Sequence, residues 1–222
     1  MNLRRFVAYH ARSVAAATRK TPKLARVMVE HRKDFRSWCN DRIRRESPIS
    51  RGLPWISYPS LRFLQDVVEP DMRVFEWGSG GSTIFFARRG CRITSIESSE
   101  FWHARIKSGL DVLTSEQRSN VDLRFIRAHP QEYPRGLDAY VSSVFDGAPW
   151  DLVLVDGWVR VRCAEAAQGA LAPKGILVFD NSDQAQFAEV PQRLSCLRGT
   201  SFPGLGVSRI WPTQTSIYRR TA

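Results

Sequence analysis

Four acidic residues in this sequence each stand at the end of an apolar, strand-like run. They are Glu76, Glu97, Asp156 and Asp180. If these runs are neighbouring parallel strands, their carboxyl ends meet at one edge of a sheet, where open α/β sheets bind ligands. Carboxylates at such an edge can bind a cationic group, accept hydrogen bonds from hydroxyls or take up a proton. The pattern therefore predicts a ligand-binding crevice with acidic walls.

A glycine-rich turn follows Glu76 and leads into a helical run, 84–89. The turn and the start of the helix comprise Gly78, Ser79, Gly80, Gly81, Ser82 and Thr83. Glycine lets a ligand lie against the main chain, and free N–H groups at a helix start favour negative ligand groups. The dinucleotide fingerprint needs a further glycine three residues after the second, and Thr83 stands there. The turn therefore predicts a small-molecule site that is not a dinucleotide site.

Charge favours a cationic ligand at this turn over a phosphorylated one. The carboxylate of Glu76 would repel a pyrophosphate, whereas it would attract the amine and sulfonium of S-adenosylmethionine. The ribose of that cofactor needs a hydrogen-bond acceptor, which Glu97 supplies at the end of the predicted strand 92–97. We expect Glu76 to bind the amine directly or through water, the turn 78–83 to hold the carboxylate, and Glu97 to bind the ribose hydroxyls.

Four segments resemble, in order and spacing, the core motifs of class I S-adenosylmethionine-dependent methyltransferases. They are Glu76–Thr83, Ser95–Ser98, Asp151–Gly157 and Gly175–Asn181. The resemblance covers residues 54–222 and implies an α/β fold, with a Rossmann-like mixed seven-stranded sheet, helices on both faces and an antiparallel last pair of strands. It also implies methyl transfer from S-adenosylmethionine, and we expect an oxygen of a small molecule or glycan as the acceptor.

Methyl transfer from a sulfonium is an in-line displacement, which depends on positioning and, for a hydroxyl acceptor, on removal of a proton. Asp156 and Asp180 are the candidate catalytic residues, with Asp156 as base or substrate anchor and as a further cofactor contact. Arg160 and Arg162 follow it and either receive an acidic substrate or form surface ion pairs.

A divalent cation is the alternative at the same strand ends. Asp156, Asp180 and Asn181 are similar in type and order to the oxygen ligands of catechol-type O-methyltransferases, and such ligands suit a hard cation. Aspartate and asparagine also commonly shape turns. We favour a site without a metal and leave the cation open.

Residues close to Glu97 and before the first strand complete the predicted cofactor site. Ser98 follows Glu97 directly, and Trp102 is near enough to flank the adenine. The segment before the first strand often lies across the pocket in the methyltransferases that this chain resembles. There Tyr58 and Ser60 either touch the ligand or only pack.

Hydrophobic periodicity predicts the elements that position these residues. The predicted strands are 72–77, 92–97, 121–128, 151–155, 176–179, 194–197 and 215–218, with residues 202–206 in a loop between the last two. A helix is predicted over 161–171. The long connection 130–150 is expected to wall the substrate side.

Charge divides the chain into two parts. The chain of 222 residues has a net charge of +11, of which residues 1–53 carry +10. Residues 1–53 are predicted to form a basic helical arm and linker, with one helix over 2–20 and a second after Pro22, and residues 54–222 to form the catalytic domain.

The arm is expected to pack on the domain or on a second subunit, or to lie on an anionic membrane through residues 1–45; nucleic acid is not favoured. No apolar run approaches the ~18 residues of a membrane span. The four cysteines fit no metal or redox spacing. These features predict a cytoplasmic protein, with peripheral membrane attachment as a variant.

Two other functions remain open at this point. Aminopropyl transfer uses a related fold with an aspartate at the fourth strand end, but it needs further acidic residues to hold a polyamine, and residues 54–222 have a net charge of only +1. A non-catalytic module, with a basic arm that binds membrane or nucleic acid, is the third reading. Binding of S-adenosylmethionine separates this third reading from the others.

Overall fold

The computed structural model describes residues 22, 26, 27, 29, 30, 32–44 and 47–220, without the side chains of residues 42 and 44. Seven strands of this part form one sheet in the order β3-β2-β1-β4-β5-β7-β6. The strands are β1 (Arg73–Trp77), β2 (Arg92–Glu97), β3 (Val121–Phe125), β4 (Trp150–Val155), β5 (Leu171–Asp180), β6 (Leu197–Gly204) and β7 (Thr213–Arg220). The first five are parallel, and β7 is antiparallel to both β5 and β6. The predicted mixed α/β sheet is confirmed.

Helices cover both faces of the sheet. They are α1 (Arg32–Arg44), α2 (Pro48–Arg51), α3 (Tyr58–Val67), α4 (Gly81–Ala87), α5 (Glu100–Gly109), α6 (Ser115–Ser119), α7 (Leu137–Ser142), α8 (Arg160–Ala170) and α9 (Val190–Arg193). In β4, Leu152 and Leu154 belong to the core on one face, and Val153 and Val155 to the core on the other. The apolar run of this strand therefore reflects burial on both sides.

The strand order places the crevice. From β1 the chain passes to β2 and β3 on one side of the sheet, and it then returns to β4 on the other side of β1. In open parallel sheets, such a reversal leaves a crevice outside the carboxyl ends of the two diverging strands. The residues after β1, β2 and β4 are therefore brought to one place.

Four of the predicted strands differ from the observed ones by two residues or more: β5 and β7 extend beyond the predicted 176–179 and 215–218 at both ends, and β3 and β6 differ as follows. Residues 190–193 form α9, and β6 begins only at Leu197 and continues to Gly204, so the predicted strand 194–197 and the loop at 202–204 are wrong. Proline and glycine at 203–204 signal a loop, but Pro203 is tolerated because β6 is an edge strand that pairs on one side only. β3 ends at Phe125, earlier than predicted, and residues 137–142 of the long connection form α7.

The described part of the arm contacts the body. Asp34 of α1 pairs with Arg62, and the indole of Trp38 donates to the carbonyl oxygen of Arg209 over 2.7 Å. The predicted helix 2–20 lies outside the described residues, and what residues 1–45 bind stays a prediction. In the described part, none of the helices combines the length and apolar character that a membrane crossing requires.

Candidate active site

A cleft of about 310 Å³ opens at the carboxyl ends of β1, β2 and β4. The predicted site residues that line it are Gly78, Ser79, Gly80, Gly81, Ser82, Glu97, Ser98, Trp102 and Asp156. Lining residues that sequence reasoning did not assign to the cofactor site are Pro48, Trp55, Gly157, Trp158 and Arg160. Glu76, Thr83 and Asp180 do not line it. The chain order therefore gathers most of the predicted residues at one place.

The glycine-rich turn packs directly on the end of β4. Gly78 has φ +93°, and a Cβ there would lie 3.0 Å from the carbonyl carbon of Asp156. A Cβ on Gly157 would lie 1.9 Å from the hydroxyl oxygen of Tyr140 and 3.2 Å from the carbonyl carbon of Trp77. Position 78 therefore favours glycine because its backbone is left-handed and touches that of Asp156, and position 157 does so mainly because the Tyr140 hydroxyl occupies the space of a side chain.

Gly80 is different, since its Cβ position faces open space. The nearest atom to a Cβ built there is the hydroxyl oxygen of Ser82 at 4.0 Å. Its φ of −179° is extended backbone that any residue adopts. The absence of a side chain at Gly80 thus serves no packing purpose in the protein and leaves bare main chain at the cleft.

Glu76 is buried beneath this turn and is linked to it by hydrogen bonds. The Thr83 hydroxyl accepts from the Gly80 N–H at 3.1 Å and donates to Oε1 of Glu76. The Ser95 hydroxyl donates to the same oxygen at 2.8 Å. Glu76 is fully buried, and its Oε2 has no hydrogen-bond partner among the described residues. Contact between Glu76 and a cofactor amine stays a prediction, and the observed role is to hold the turn.

Burial raises the pKa of Glu76 from its usual 4.5 to about 7, against the effect of the surrounding hydroxyl groups. The folded chain therefore holds a proton at intermediate pH that the unfolded chain has lost. Since the folded state binds more protons, the free energy of unfolding falls as the pH rises through this range. A rise of this size corresponds to about 3 kcal/mol.

We expect Glu76→Gln to remove most of that pH dependence. Between about pH 5 and about pH 8, the wild type should lose about 3 kcal/mol more stability than the variant, as measured by urea unfolding at a series of pH values. Asp180 titrates in both proteins, so the difference isolates Glu76. Glu100→Gln, at an exposed carboxylate, should behave like the wild type. Equal pH slopes for wild type and Glu76→Gln would contradict the burial of an ionisable group here.

Glu97 is held rigidly at the end of β2. Its Oε1 accepts from the backbone N–H groups of Ser98 and Ser99, both at 2.8 Å. Its Oε2 accepts from the N–H of Ser79 at 3.2 Å and from the Ser79 hydroxyl at 3.0 Å. A carboxylate offers about four acceptor positions. The Ser79 hydroxyl is the one donor of the four that can rotate away when a ligand hydroxyl approaches.

Two tryptophans form one wall of the cleft. The rings of Trp55 and Trp102 stack at 6.4 Å between centroids, and the Trp102 indole donates to the carbonyl oxygen of Ser79 at 2.7 Å. The segment before the first strand was predicted to contact the ligand through Tyr58 or Ser60, whereas Trp55 is its residue that lines the cleft. Tyr58 donates to Asp41 and Ser60 bonds to Ser57, and neither of them lines the cleft.

Arg160 occupies the centre of the predicted group of Asp156, Asp180 and Asn181. Its Nη1 donates to the carbonyl oxygen of Asp180 at 2.8 Å and to Oδ1 of Asn181 at 3.2 Å. Its Nη2 donates to the carbonyl oxygen of Asp156 at 2.9 Å and pairs with Oδ1 of the same residue at 2.7 Å. Its Nε donates to the carbonyl oxygen of Gly157 at 3.0 Å. Arg160 is thus a clamp across two strand ends.

The residues present do not fit a divalent cation at this place. The guanidinium of Arg160 fills the space between the oxygens that would have to bind it. Among the residues that the structure describes, no group of three or more acidic, histidine or cysteine side chains is placed to hold a metal ion.

The two candidate catalytic acids differ in access. Asp156 lines the cleft. Asp180 is fully buried and accepts from the Thr215 hydroxyl at 2.8 Å, with Arg209 3.4 Å from its other oxygen. Burial, together with the charge of Asp156, raises the pKa of Asp180 to about 7. Asp156 is therefore the candidate that can face a substrate, and Asp180 is placed to hold the strand end.

No protein-family model and no curated protein matches this chain. Solved structures do match it. An O-methyltransferase from Bacillus cereus, solved with S-adenosylhomocysteine, is 18% identical, with 78% of this chain and 87% of that chain covered and a TM-score of 0.56. The O-methyltransferase TomG from Streptomyces achromogenes, solved with S-adenosylmethionine, is 20% identical, with 74% and 79% covered and a TM-score of 0.54.

A methyltransferase-like protein from Silicibacter pomeroyi is 23% identical, with 76% of this chain and 90% of that chain covered and a TM-score of 0.54. At these identities the likeness shows the fold. The chain therefore has the fold of the class I S-adenosylmethionine-dependent methyltransferases, as its four motifs predicted.

Proposed function

We propose that this protein is an S-adenosylmethionine-dependent methyltransferase that acts on an oxygen of a small molecule or glycan. The observation that carries the proposal is the cleft, in which the bare backbone at Gly80, the fixed carboxylate of Glu97 and the Trp55–Trp102 wall meet at the switch point of the sheet. Two structures of the same fold were solved with this cofactor or its demethylated product, which supports the assignment.

We expect each part of the cofactor to contact a different part of the cleft. The main chain around Gly80 receives the amino acid part, because no side chain intervenes there. The ribose hydroxyls reach Glu97 and replace the rotatable hydroxyl of Ser79. The adenine packs against the exposed rings of the tryptophan wall, which offers a flat apolar surface.

The acceptor is expected on the side of Asp156. A second depression, bounded by Trp158, Val161 and Phe187, adjoins the cleft there and shares Trp158 and Arg160 with it. The acceptor oxygen attacks the methyl carbon in line with the bond to sulfur, and the electron pair of the broken bond stays on sulfur. We expect Asp156, which lines the cleft, to accept the proton that a hydroxyl acceptor loses. The aromatic side chains favour a flat or sugar-like acceptor.

Calorimetric titration with S-adenosylmethionine and S-adenosylhomocysteine tests this proposal. We expect both to bind, and Glu97→Ala to weaken binding by roughly 1–3 kcal/mol, or about tenfold or more, because charge-assisted hydrogen bonds to the ribose are lost. Ser79→Ala removes only the donor that the ribose replaces and should bind at least as tightly as the wild type.

Glu100→Ala, an exposed carboxylate near Glu97 in the chain, is the matched control and should leave the affinity unchanged. Absence of binding at millimolar ligand with an intact fold would overturn the proposal and leave a non-catalytic module. Unchanged affinity in Glu97→Ala would remove the ribose role from this residue.

A further inference from the structure

We propose that Arg160 takes the place of a divalent cation in this fold, so that its guanidinium joins the ends of β4 and β5 and methyl transfer requires no metal. That methyl transfer requires no metal rests on the proposed function. That Arg160 occupies the position of a cation concerns only the groups at the strand ends and can be tested without any activity.

The oxygen atoms at this place form a set that suits a hard cation. The side chains of Asp156 and Asn181 and the carbonyl oxygens of Asp156 and Asp180, at the ends of β4 and β5, all face the guanidinium of Arg160. Hard divalent cations bind carboxylate, amide and carbonyl oxygens at about 2.0–2.6 Å. In this chain the converging oxygens instead lie 2.7–3.2 Å from the guanidinium nitrogens of Arg160, which are hydrogen-bond and ion-pair distances. A metal ion and this guanidinium cannot share the position.

The backbone before Arg160 is bent in a way that brings the side chain to this point. Val159 has φ +41° and ψ +42°, a left-handed conformation that is a genuine outlier for a β-branched residue. Such strain persists only where the surrounding structure fixes it. Val159 directly precedes Arg160, the first residue of α8. The left-handed turn between β4 and α8 therefore directs the Arg160 side chain back toward the ends of β4 and β5.

All three nitrogens of the Arg160 guanidinium are engaged with protein oxygens, and its side chain is only 15% exposed. It therefore has no nitrogen free to receive an acidic acceptor, which was one of the two roles expected from the sequence. Because it pairs with Asp156, which lines the cleft, Arg160 is a positioning residue that fixes the direction of the carboxylate facing the substrate.

Binding of Mn²⁺, measured by electron paramagnetic resonance, tests whether Arg160 occupies the position of a metal ion. Wild-type protein is expected to show no site at the strand ends. Arg160→Ala removes the guanidinium and leaves the oxygen set, so we expect it to bind Mn²⁺ roughly tenfold or more tightly than the wild type. Asp156→Ala in the Arg160→Ala background should abolish the acquired site.

Arg162→Ala is the matched control, because Arg162 lies two residues further along α8 and pairs with Asp138 at the surface. It should bind Mn²⁺ no better than the wild type. If Arg160→Ala does not fold, Arg160→Met keeps the apolar stem of the side chain without its charge and serves the same comparison. Mn²⁺ binding to wild-type protein that Asp156→Ala removes would overturn the proposal, and so would folded charge-free variants that bind no more Mn²⁺ than the wild type.

Failure of this inference can be distinguished from failure of the proposed function. S-adenosylmethionine is titrated into the same samples by calorimetry. Cofactor binding together with a wild-type Mn²⁺ site at Asp156 would contradict the inference but not the proposed function. Absence of cofactor binding, with the expected Mn²⁺ results, would contradict the proposed function but not the role of Arg160.

Discussion

Gly80→Ala is expected to fold like the wild type and to bind S-adenosylmethionine roughly tenfold or more weakly. The added methyl group meets no protein atom closer than 4.0 Å, and the extended backbone at Gly80 accommodates alanine. The methyl group instead enters the space at the cleft where we propose that the cofactor lies against the main chain. An intruding methyl group in a close-packed contact costs about 1–3 kcal/mol, and each 1.4 kcal/mol is about tenfold in affinity.

Calorimetry gives the affinity of Gly80→Ala, and urea unfolding gives its stability. Gly169→Ala is a suitable control, since a Cβ at Gly169 meets its nearest neighbour, a ring atom of Phe145, at an ordinary 3.5 Å and lies outside the cleft lining. Wild-type affinity in Gly80→Ala would mean that the cofactor does not approach the turn at this residue, and the placement of its amino acid part would have to be abandoned.

Gly81→Ala, one residue further on, is expected to lose stability instead. A Cβ on Gly81 would lie 2.1 Å from the carbonyl oxygen of Leu53 and 2.5 Å from that of Pro48. Both are main-chain atoms of the segment that packs over the turn, so the clash cannot be relieved by rotating a side chain. We expect a loss of about 3 kcal/mol or more in the free energy of unfolding, measured by urea denaturation.

The two neighbouring alanine variants form a pair in which each is the control for the other. The Gly80 variant should change affinity without changing stability, and the Gly81 variant should change stability first. A stable Gly81→Ala protein would show that residues 48–53 do not rest on the turn as described. The pair thus tests separately what the turn does for the ligand and what it does for the fold.

Local patterns were enough to predict which residues gather around the glycine-rich turn. The spacing from Glu76 through the glycines to Glu97 lies within one strand–turn–helix–strand unit, so the chain itself fixes which residues meet. The cleft accordingly contains the predicted turn, Glu97 and Trp102. The apolar runs predicted β1, β2 and β4 within one residue of their observed bounds.

Contacts between distant segments could not be predicted in the same way. Trp55 lies at the cleft in a segment whose position depends on distant residues, since the N–H of Val207 donates to the carbonyl oxygen of Ile56 over 2.9 Å. Nothing in the local sequence distinguishes Trp55 from Tyr58, whose hydroxyl donates to Asp41 of the arm. Arg160 was recognised as a candidate, but its role depends on two strands meeting and on the left-handed backbone of Val159. The position of Glu76 at a strand end could be predicted from the sequence, but its complete burial could not, because it depends on tertiary packing.

The touching backbones at Gly78 and Asp156 have a mechanical consequence. The first belongs to the loop proposed to carry the methyl donor, and the second to the loop proposed to face the acceptor. With no side chain between them, there is no compressible layer that could take up a change in spacing. The spacing of the two loops therefore follows from the hydrogen-bonded distance between β1 and β4, and we expect the distance between a methyl donor on one loop and an acceptor on the other to be set by it.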